Sequence, residues 1–210
     1  MSVDHIFDAV IGLDATKTAS EVQNAVEKGI APGAILNEGL IRAMDVVGER
    51  FSAGETFVPE MLMTANAMKT GVEVLKPHLT EGSQEKLGTI VVGTVHGDLH
   101  DIGKNLVCIM LEGAGFNVVD LGVDVTKEKF IQGAKEHNAD IIGLSTLLTT
   151  TMDVMAETIG AINETELKDQ VKILVGGAPL NPDFAERIGA HAFATDAGSA
   201  GKMARELILH

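Results

Sequence analysis

The chain has no tryptophan, no tyrosine and a single cysteine. One thiol cannot make an intramolecular disulfide, which agrees with a reducing compartment. Cys108 sits in the apolar run Leu-Val-Cys-Ile-Met, the setting of a buried, inert thiol rather than a nucleophile. Seven phenylalanines are the only aromatics, so stacking platforms for single-stranded nucleic acid are scarce. Basic residues are also few: 16 Lys and Arg against 30 Asp and Glu leave a formal net charge of −14, which repels phosphate backbones and argues against nucleic acid as a partner. No apolar run approaches membrane-spanning length, and Met1 to Ile11 carries two aspartates and no basic start. No membrane association and no signal peptide are therefore expected, and the expected location is the cytoplasm. What is plentiful is apolar residues, 45% of 210, and glycine, 23 residues clustered at the ends of expected strands. That suffices for one generous domain or two small ones, without staples.

From Ser2 to about Leu79 the period is helical throughout. A first helix is expected from about Asp4 to Ile11 and a second from about Ser20 to Lys28, ended by Gly29. Pro32 suits the first turn of a third, whose apolar stripe is Ile35, Leu36, Leu40, Met44, Val47 and Phe51. Gly54 breaks the chain and Pro59 restarts it, with Met61, Ala65, Met68, Val72 and Leu75 as a fourth stripe before Pro77 stops it. Four short helices of this kind pack antiparallel as a bundle.

The polar stretch Thr80 to Leu87 lacks periodicity and reads as a linker. We place a helical domain at 1–80, the linker at 81–88 and a second domain at 89–210. Beyond the linker, strands alternate with helices. Strands are expected at Thr89 to Val95, Asn117 to Leu121, Asp140 to Ser145, Val171 to Val175 and His191 to Ala194. Helices are expected near Lys104 to Glu112, Lys127 to His137, Met152 to Asn163, Pro182 to Ile188 and Ser199 to Leu209. The fold class is α/β: a Rossmann-like, flavodoxin-like, five-stranded parallel sheet after a four-helix cap, binding ligands at the carboxyl ends of its strands.

The stretch Gly97 to Asn105, Gly-Asp-Leu-His-Asp-Ile-Gly-Lys-Asn, lies where the first strand stops and a helix begins, with Gly103 expected to make the tight turn between them. As a phosphate cradle it fails, because five residues rather than four separate Gly97 from Gly103, and Asn105 stands where a Ser or Thr would hold magnesium. As a closed zinc cage, His96, Asp98, His100 and Asp101 fit poorly. One histidine with a carboxylate behind it suits a single axial bond better.

Two further turns align with this loop: Ser145 to Thr151, rich in hydroxyls, after the third strand, and Gly176-Gly177-Ala178 after the fourth. Together the three motifs resemble the cobalamin-binding domain shared by methionine synthase and corrinoid methyltransferase proteins. The helical half resembles the cap of those methyl-transferring members, so the resemblance covers nearly the whole chain. It is nearest to the corrinoid subunits of methanol, methylamine and O-demethylase systems. It implies that cobalamin is the cofactor, that His100 is the metal ligand on the lower face of cobalt, and that Asp98 holds the other ring N–H of His100. It further implies that the Thr151 hydroxyl supports Asp98, and that Ser145 and Thr149 contact the cofactor. Gly176 and Gly177 would let backbone approach the buried nucleotide tail, and Phe51 and Val58 would shield the upper face, helped by Phe57, Met61 or Met63. Asp101 and Gly103 belong to the same cofactor-binding loop, although Asp101 also suits a plain helix cap.

The function implied is that of a methyl carrier. Cob(I)alamin takes a methyl group from a substrate activated by a substrate:corrinoid methyltransferase, and the methyl-cob(III)alamin formed yields it to a methylcorrinoid:acceptor methyltransferase. Such a chain is a carrier subunit rather than a complete enzyme, and nothing in the sequence excludes a homodimer. An adenosylcobalamin-dependent mutase subunit would share the loop but needs a barrel partner. A cobalamin-responsive regulator would share cap and cofactor domain but needs a DNA-binding module. A metal hydrolase is the third alternative. The remaining histidines, His96 included, read as structural.

Overall fold

The computed structural model describes residues 3–78 and 87–209, which divide into two compact units, one of residues 3–78 with 113–115 and the other of 87–112 with 116–209. The stretch read as a linker lies, up to residue 86, outside the described residues.

In the helical unit α1 spans Asp4–Ile11 and α2 spans Ala15–Glu27. The second helix thus begins at Ala15, well before the Ser20 at which the sequence pattern placed it. Asp14 explains why, since its carboxylate accepts the Lys17 N–H at 2.9 Å and caps a turn of Ala, Thr and Lys with no apolar marker. The third helix, α3, covers 32–52 in three parts: Pro32–Ala34, a π-helical stretch Ile35–Ile41, and Arg42–Ser52. The π turns add a residue to the ladder and shift its phase. Gly39 therefore enters the core beside Leu40, where an added Cβ would meet Ile6 Cγ2 at 3.1 Å, while Leu36 and Phe51 are only half-buried. The fourth helix, α4 (Val58–Leu75), starts with the Phe57 N–H donating to Glu60 Oε2 at 2.8 Å. Its buried face is Met61, Thr64, Ala67, Met68, Gly71 and Leu75, so the expected stripe is rotated, with Ala65 and Val72 at its margin. Small residues explain the rotation: an added Cβ on Gly71 would sit 2.8 Å from Leu40 Cδ2, so the helices approach closely there.

The other unit holds five parallel strands, β1 (Thr89–Thr94), β2 (Asn117–Asp120), β3 (Ile141–Ser145), β4 (Lys172–Gly176) and β5 (Ala192–Ala194), in the order β2-β1-β3-β4-β5. The expected doubly wound sheet is therefore present. Its helices are α5 (Ile102–Gly113), α6 (Lys127–Glu136), α7 (Met152–Asn163), α8 (Pro182–Arg187) and α9 (Ala197–Leu209). Right-handed crossovers put α5 on one face, because the chain steps from β1 outward to β2, and α6, α7 and α8 on the other as it steps back through β3, β4 and β5. The burial agrees. Val91, Ile142, Leu144, Ile173 and Val175 share a core with Phe130, Met155, Ile159 and Phe184, whereas the alternate residues Ile90, Val92, Ile141 and Leu174 are buried outside it. Strands buried on both faces read as continuous apolar runs, as these do. The order reverses between β1 and β3, and that switch point opens a crevice at the strands' carboxyl ends.

Candidate functional site

The loop that leaves β1 turns at once. The Asp98 N–H donates to Val95 O at 3.1 Å, closing a four-residue turn, and Gly97 holds φ at 85°. That φ is open to glycine and strained for other residues, so Gly97, not Gly103, makes the tight turn. Gly103 lies instead in the first turn of α5, and an added Cβ there would meet nothing within 4 Å.

The turn delivers Asp98 into full burial, its side chain 0% exposed, and His100 to the surface, its side chain 52% exposed. Asp98 is the hub. Oδ1 accepts the His100 N–H at 3.0 Å and lies 2.7 Å from His100 Nδ1, while Oδ2 accepts the Leu147 N–H at 2.7 Å and the Thr146 hydroxyl at 3.1 Å. Burial opposes the charge on Asp98. The Leu147 and His100 N–H groups, the His100 ring and the Thr146 hydroxyl outweigh it, taking the carboxyl from 3.8 to about 2. An ionised carboxylate only accepts, so His100 Nδ1 carries the hydrogen, and Nε2 is the ring nitrogen on which a lone pair can lie. The Thr94 hydroxyl donates to His100 O at 2.9 Å and fixes the backbone as well.

Sequence reasoning missed Thr146. The hydroxyl touching Asp98 is that of Thr146, and Thr151 lies one step behind it, 2.6 Å from Thr146 Oγ1 and donating to Leu148 O at 3.0 Å. The expected direct support by Thr151 is corrected accordingly. The available signal was the place of Thr146, the first residue past β3 at the sheet's switch point. Ser145 ends β3 between Thr94 and Gly176, and Thr149 is exposed. The steric reason given for the glycine pair also changes. An added Cβ on Gly177 would fall 1.8 Å from Thr146 O, so Gly177 is required by the chain's own turn, whereas on Gly176 it would meet only Ala194 O at 3.5 Å.

The other loop residues sort plainly. Asp101 begins the first turn of α5, its carbonyl accepting the Asn105 N–H at 2.7 Å and its carboxylate the Asn105 side-chain amide at 3.2 Å. Lys104 is buried and ion-paired with Asp120, which removes it from any phosphate. His96 pairs with Asp124 at 2.7 Å. Among the described residues no group of three or more His, Cys, Asp or Glu could hold a metal ion, and no helix is long and apolar enough to cross a membrane. Apolar side chains are exposed around His100 and Thr146: Leu99 at 72% in the first loop, Ile102 at 77% at the start of α5, and Leu147 and Leu148 directly after Thr146. In the helical unit Phe51 lies in the last turn of α3 and Val58 opens α4, both half-buried, while Phe57, Leu62 and Met63 are exposed.

Comparison with known proteins gives two matches to models described as B12 binding domains, over residues 3–76 and 88–204. The chain is similar to dimethylamine corrinoid protein 3 of Methanosarcina acetivorans, 44% identical over 204 residues that cover 97% of this chain and 95% of the relative. It also resembles the crystal structure of a cobalamin-binding protein from Desulfitobacterium hafniense, with TM-score 0.84, 33% identity and 98% of each chain covered. A third likeness is to the methanol:cobalamin methyltransferase complex of Methanosarcina barkeri, with TM-score 0.80 and 29% identity over 99% of this chain and 79% of that one.

Proposed function

Because the chain belongs to the family of B12-binding corrinoid proteins, we propose that it is the methyl carrier of a corrinoid-dependent methyltransferase system, loaded by one methyltransferase and unloaded by a second. The observation that carries this reading is the exposed His100 ring, held through Nδ1 by a wholly buried carboxylate so that Nε2 faces outward. The residues present fit a corrinoid. One histidine ring, held through Nδ1 so that Nε2 is left to bond, would give a corrinoid's cobalt a single protein donor, which suits a metal whose macrocycle supplies most of its ligands. Exposed Leu99, Ile102, Leu147 and Leu148 offer a flat ring an apolar bed, and the empty space over Gly103 admits close approach.

When bound, cobalamin supplies a cobalt centre that accepts a methyl group and releases it. The chain's own part is to bind and orient. His100 would donate its Nε2 pair, Asp98 fixes the tautomer and the ring's orientation, and Thr146, backed by Thr151, keeps Asp98 charged and oriented. In this reading Asp101, Ser145 and Thr149 would be polar contacts to the cofactor, Gly176 would give backbone access to its tail, and Phe51 and Val58 would be the apolar side chains that shield it from water. The partners in this reading are a substrate:corrinoid methyltransferase and a methylcorrinoid:acceptor methyltransferase, and the structural likeness to a methyltransferase complex supports the first of them. The match of the helical unit to a B12-binding model and the near-complete coverage of the relatives favour this over a mutase subunit.

The test is the visible spectrum of the protein reconstituted with cobalamin, beside His100→Ala. We expect tight binding with a histidine-ligated spectrum that His100→Ala loses while retaining some cofactor, and weakened ligation in Asp98→Asn. Full retention of that spectrum in His100→Ala overturns the assignment.

A further inference from the structure

A second aspartate–histidine pair stands beside the first. Asp124 follows β2, and its segment runs along the end of β1: the Thr94 N–H donates to Gly122 O at 3.0 Å and the Val125 N–H to Thr94 O at 2.9 Å. Residue 124 itself sits in the left-handed region, at φ 54°, which aspartate tolerates better than most side chains. From there its carboxylate accepts the Gly97 N–H at 2.7 Å and pairs with His96 Nδ1 at 2.7 Å, while its own N–H donates to Asp98 O at 3.0 Å. Asp124 thus grips the turn 95–98 at three points: one side chain, one inner amide and one carbonyl.

The turn has two backbone alternatives. With Gly97 at φ 85° and the Asp98 N–H on Val95 O, it is the type II form. Rotating the central peptide between His96 and Gly97 by half a turn gives the type I form, with the Gly97 N–H on the opposite side and a negative φ. Only the first form aims the Gly97 N–H at the Asp124 carboxylate. Asp98 is the last residue of this turn, and it orients the His100 ring, so the choice between the two forms is transmitted to the ligand.

We infer that Asp124 is a positioning residue for His100: by accepting the Gly97 N–H it holds the 95–98 turn in its type II form, and His96 buttresses the carboxylate that does so. The inference rests on the reading of His100 as the axial ligand, and its test separates the two. Asp124→Gly removes the carboxylate yet keeps a residue at ease at positive φ, so it tests the grip without adding strain. Asp124→Asn keeps an acceptor oxygen. In cofactor-free full-length protein, Asp124→Gly is expected to speed hydrogen exchange at the Gly97 amide by roughly tenfold, the loss of one charge-assisted hydrogen bond, while Asp124→Asn stays near wild type. In cobalamin-loaded protein the histidine-ligated fraction is expected to fall several-fold in Asp124→Gly and to be rescued in Asp124→Asn. Unchanged Gly97 exchange in Asp124→Gly overturns the inference, as does an unchanged spectrum in a variant whose exchange has risen. A wild-type protein that never shows histidine ligation overturns the proposed function itself.

Discussion

Asp98 uses both carboxylate oxygens on four donors, two from His100 on its own loop and two from Thr146 and Leu147 after β3. Such a hub makes its neighbours unequal, since a hydroxyl in direct contact matters more than one behind it. Thr146→Val keeps the side chain's shape but removes the hydroxyl from a buried charge. It should cost about 1–3 kcal/mol of folding stability in urea denaturation and lower the histidine-ligated fraction, with Thr146→Ser restoring both. Thr151→Val should cost less, because Thr146 keeps its hydrogen for Asp98. Equal losses in the two valine variants would show that direct contact gives Thr146 no greater hold on the carboxylate than the outer hydroxyl has. Gly177 makes a sharper case: a Cβ 1.8 Å from Thr146 O cannot be relieved by a rotamer change, so Gly177→Ala must move the turn that carries Thr146.

At the scale of elements, β1 accommodates the core of one face through a missing side chain. A Cβ on Gly93 would lie 2.8 Å from Phe130 Cζ, and Phe130 is fully buried, so the ring has nowhere to go. Gly93→Ala should destabilise the fold by about 1–3 kcal/mol, the usual cost of overpacking, measured by thermal or urea unfolding. The edge of the sheet carries a titratable joint. The Ile173 N–H donates to His191 Nδ1 at 2.9 Å, a bond that only the unprotonated nitrogen can accept. Ring burial, reinforced by the Lys172 ammonium, holds His191 below its ordinary 6.5. Below that ordinary value the unfolded chain takes up the proton first, so this group's contribution to stability is complete above pH 6.5 and is lost as pH falls through the depressed folded value. The denaturation midpoint should therefore drop between pH 7 and pH 5, and more steeply than in His191→Asn, which keeps an acceptor and does not titrate. Identical slopes would remove His191 from the account.

For the whole molecule, ligand binding and stability are linked. If the α/β unit is organised around a bound corrinoid, saturating cobalamin must raise the thermal midpoint, through a stabilisation of about 2.7 kcal/mol at a hundred times Kd. His100→Ala should keep only part of that gain, since the apolar bed of Leu99, Ile102, Leu147 and Leu148 remains. A full gain in the variant would mean that the histidine adds nothing to affinity. The formal charge of −14 bears on association at the same scale, and binding to duplex DNA at moderate salt should be undetectable.

The sequence by itself determined the order of elements and the pairing of an aspartate with a histidine in the loop after β1. Periods of two and 3.6 and the glycines between them follow from local backbone geometry, and Asp98 and His100 are two residues apart, near enough for the chain alone to bring them together. Only the tertiary structure decided what depends on neighbours distant in sequence. Thr146 was chosen over Thr151 because β3 pairs with β1 and ends at the turn; Asp124 meets Gly97 because its segment runs along the same strand. The burial faces of α3 and α4 were decided by close approach at Gly39 and Gly71 and by the π turn, which no periodic count reveals. Local pattern is written along one chain, whereas a register between strands or a contact between helices is a property of pairs, and that is why the pairing of Asp98 with His100 was legible and its supports were not.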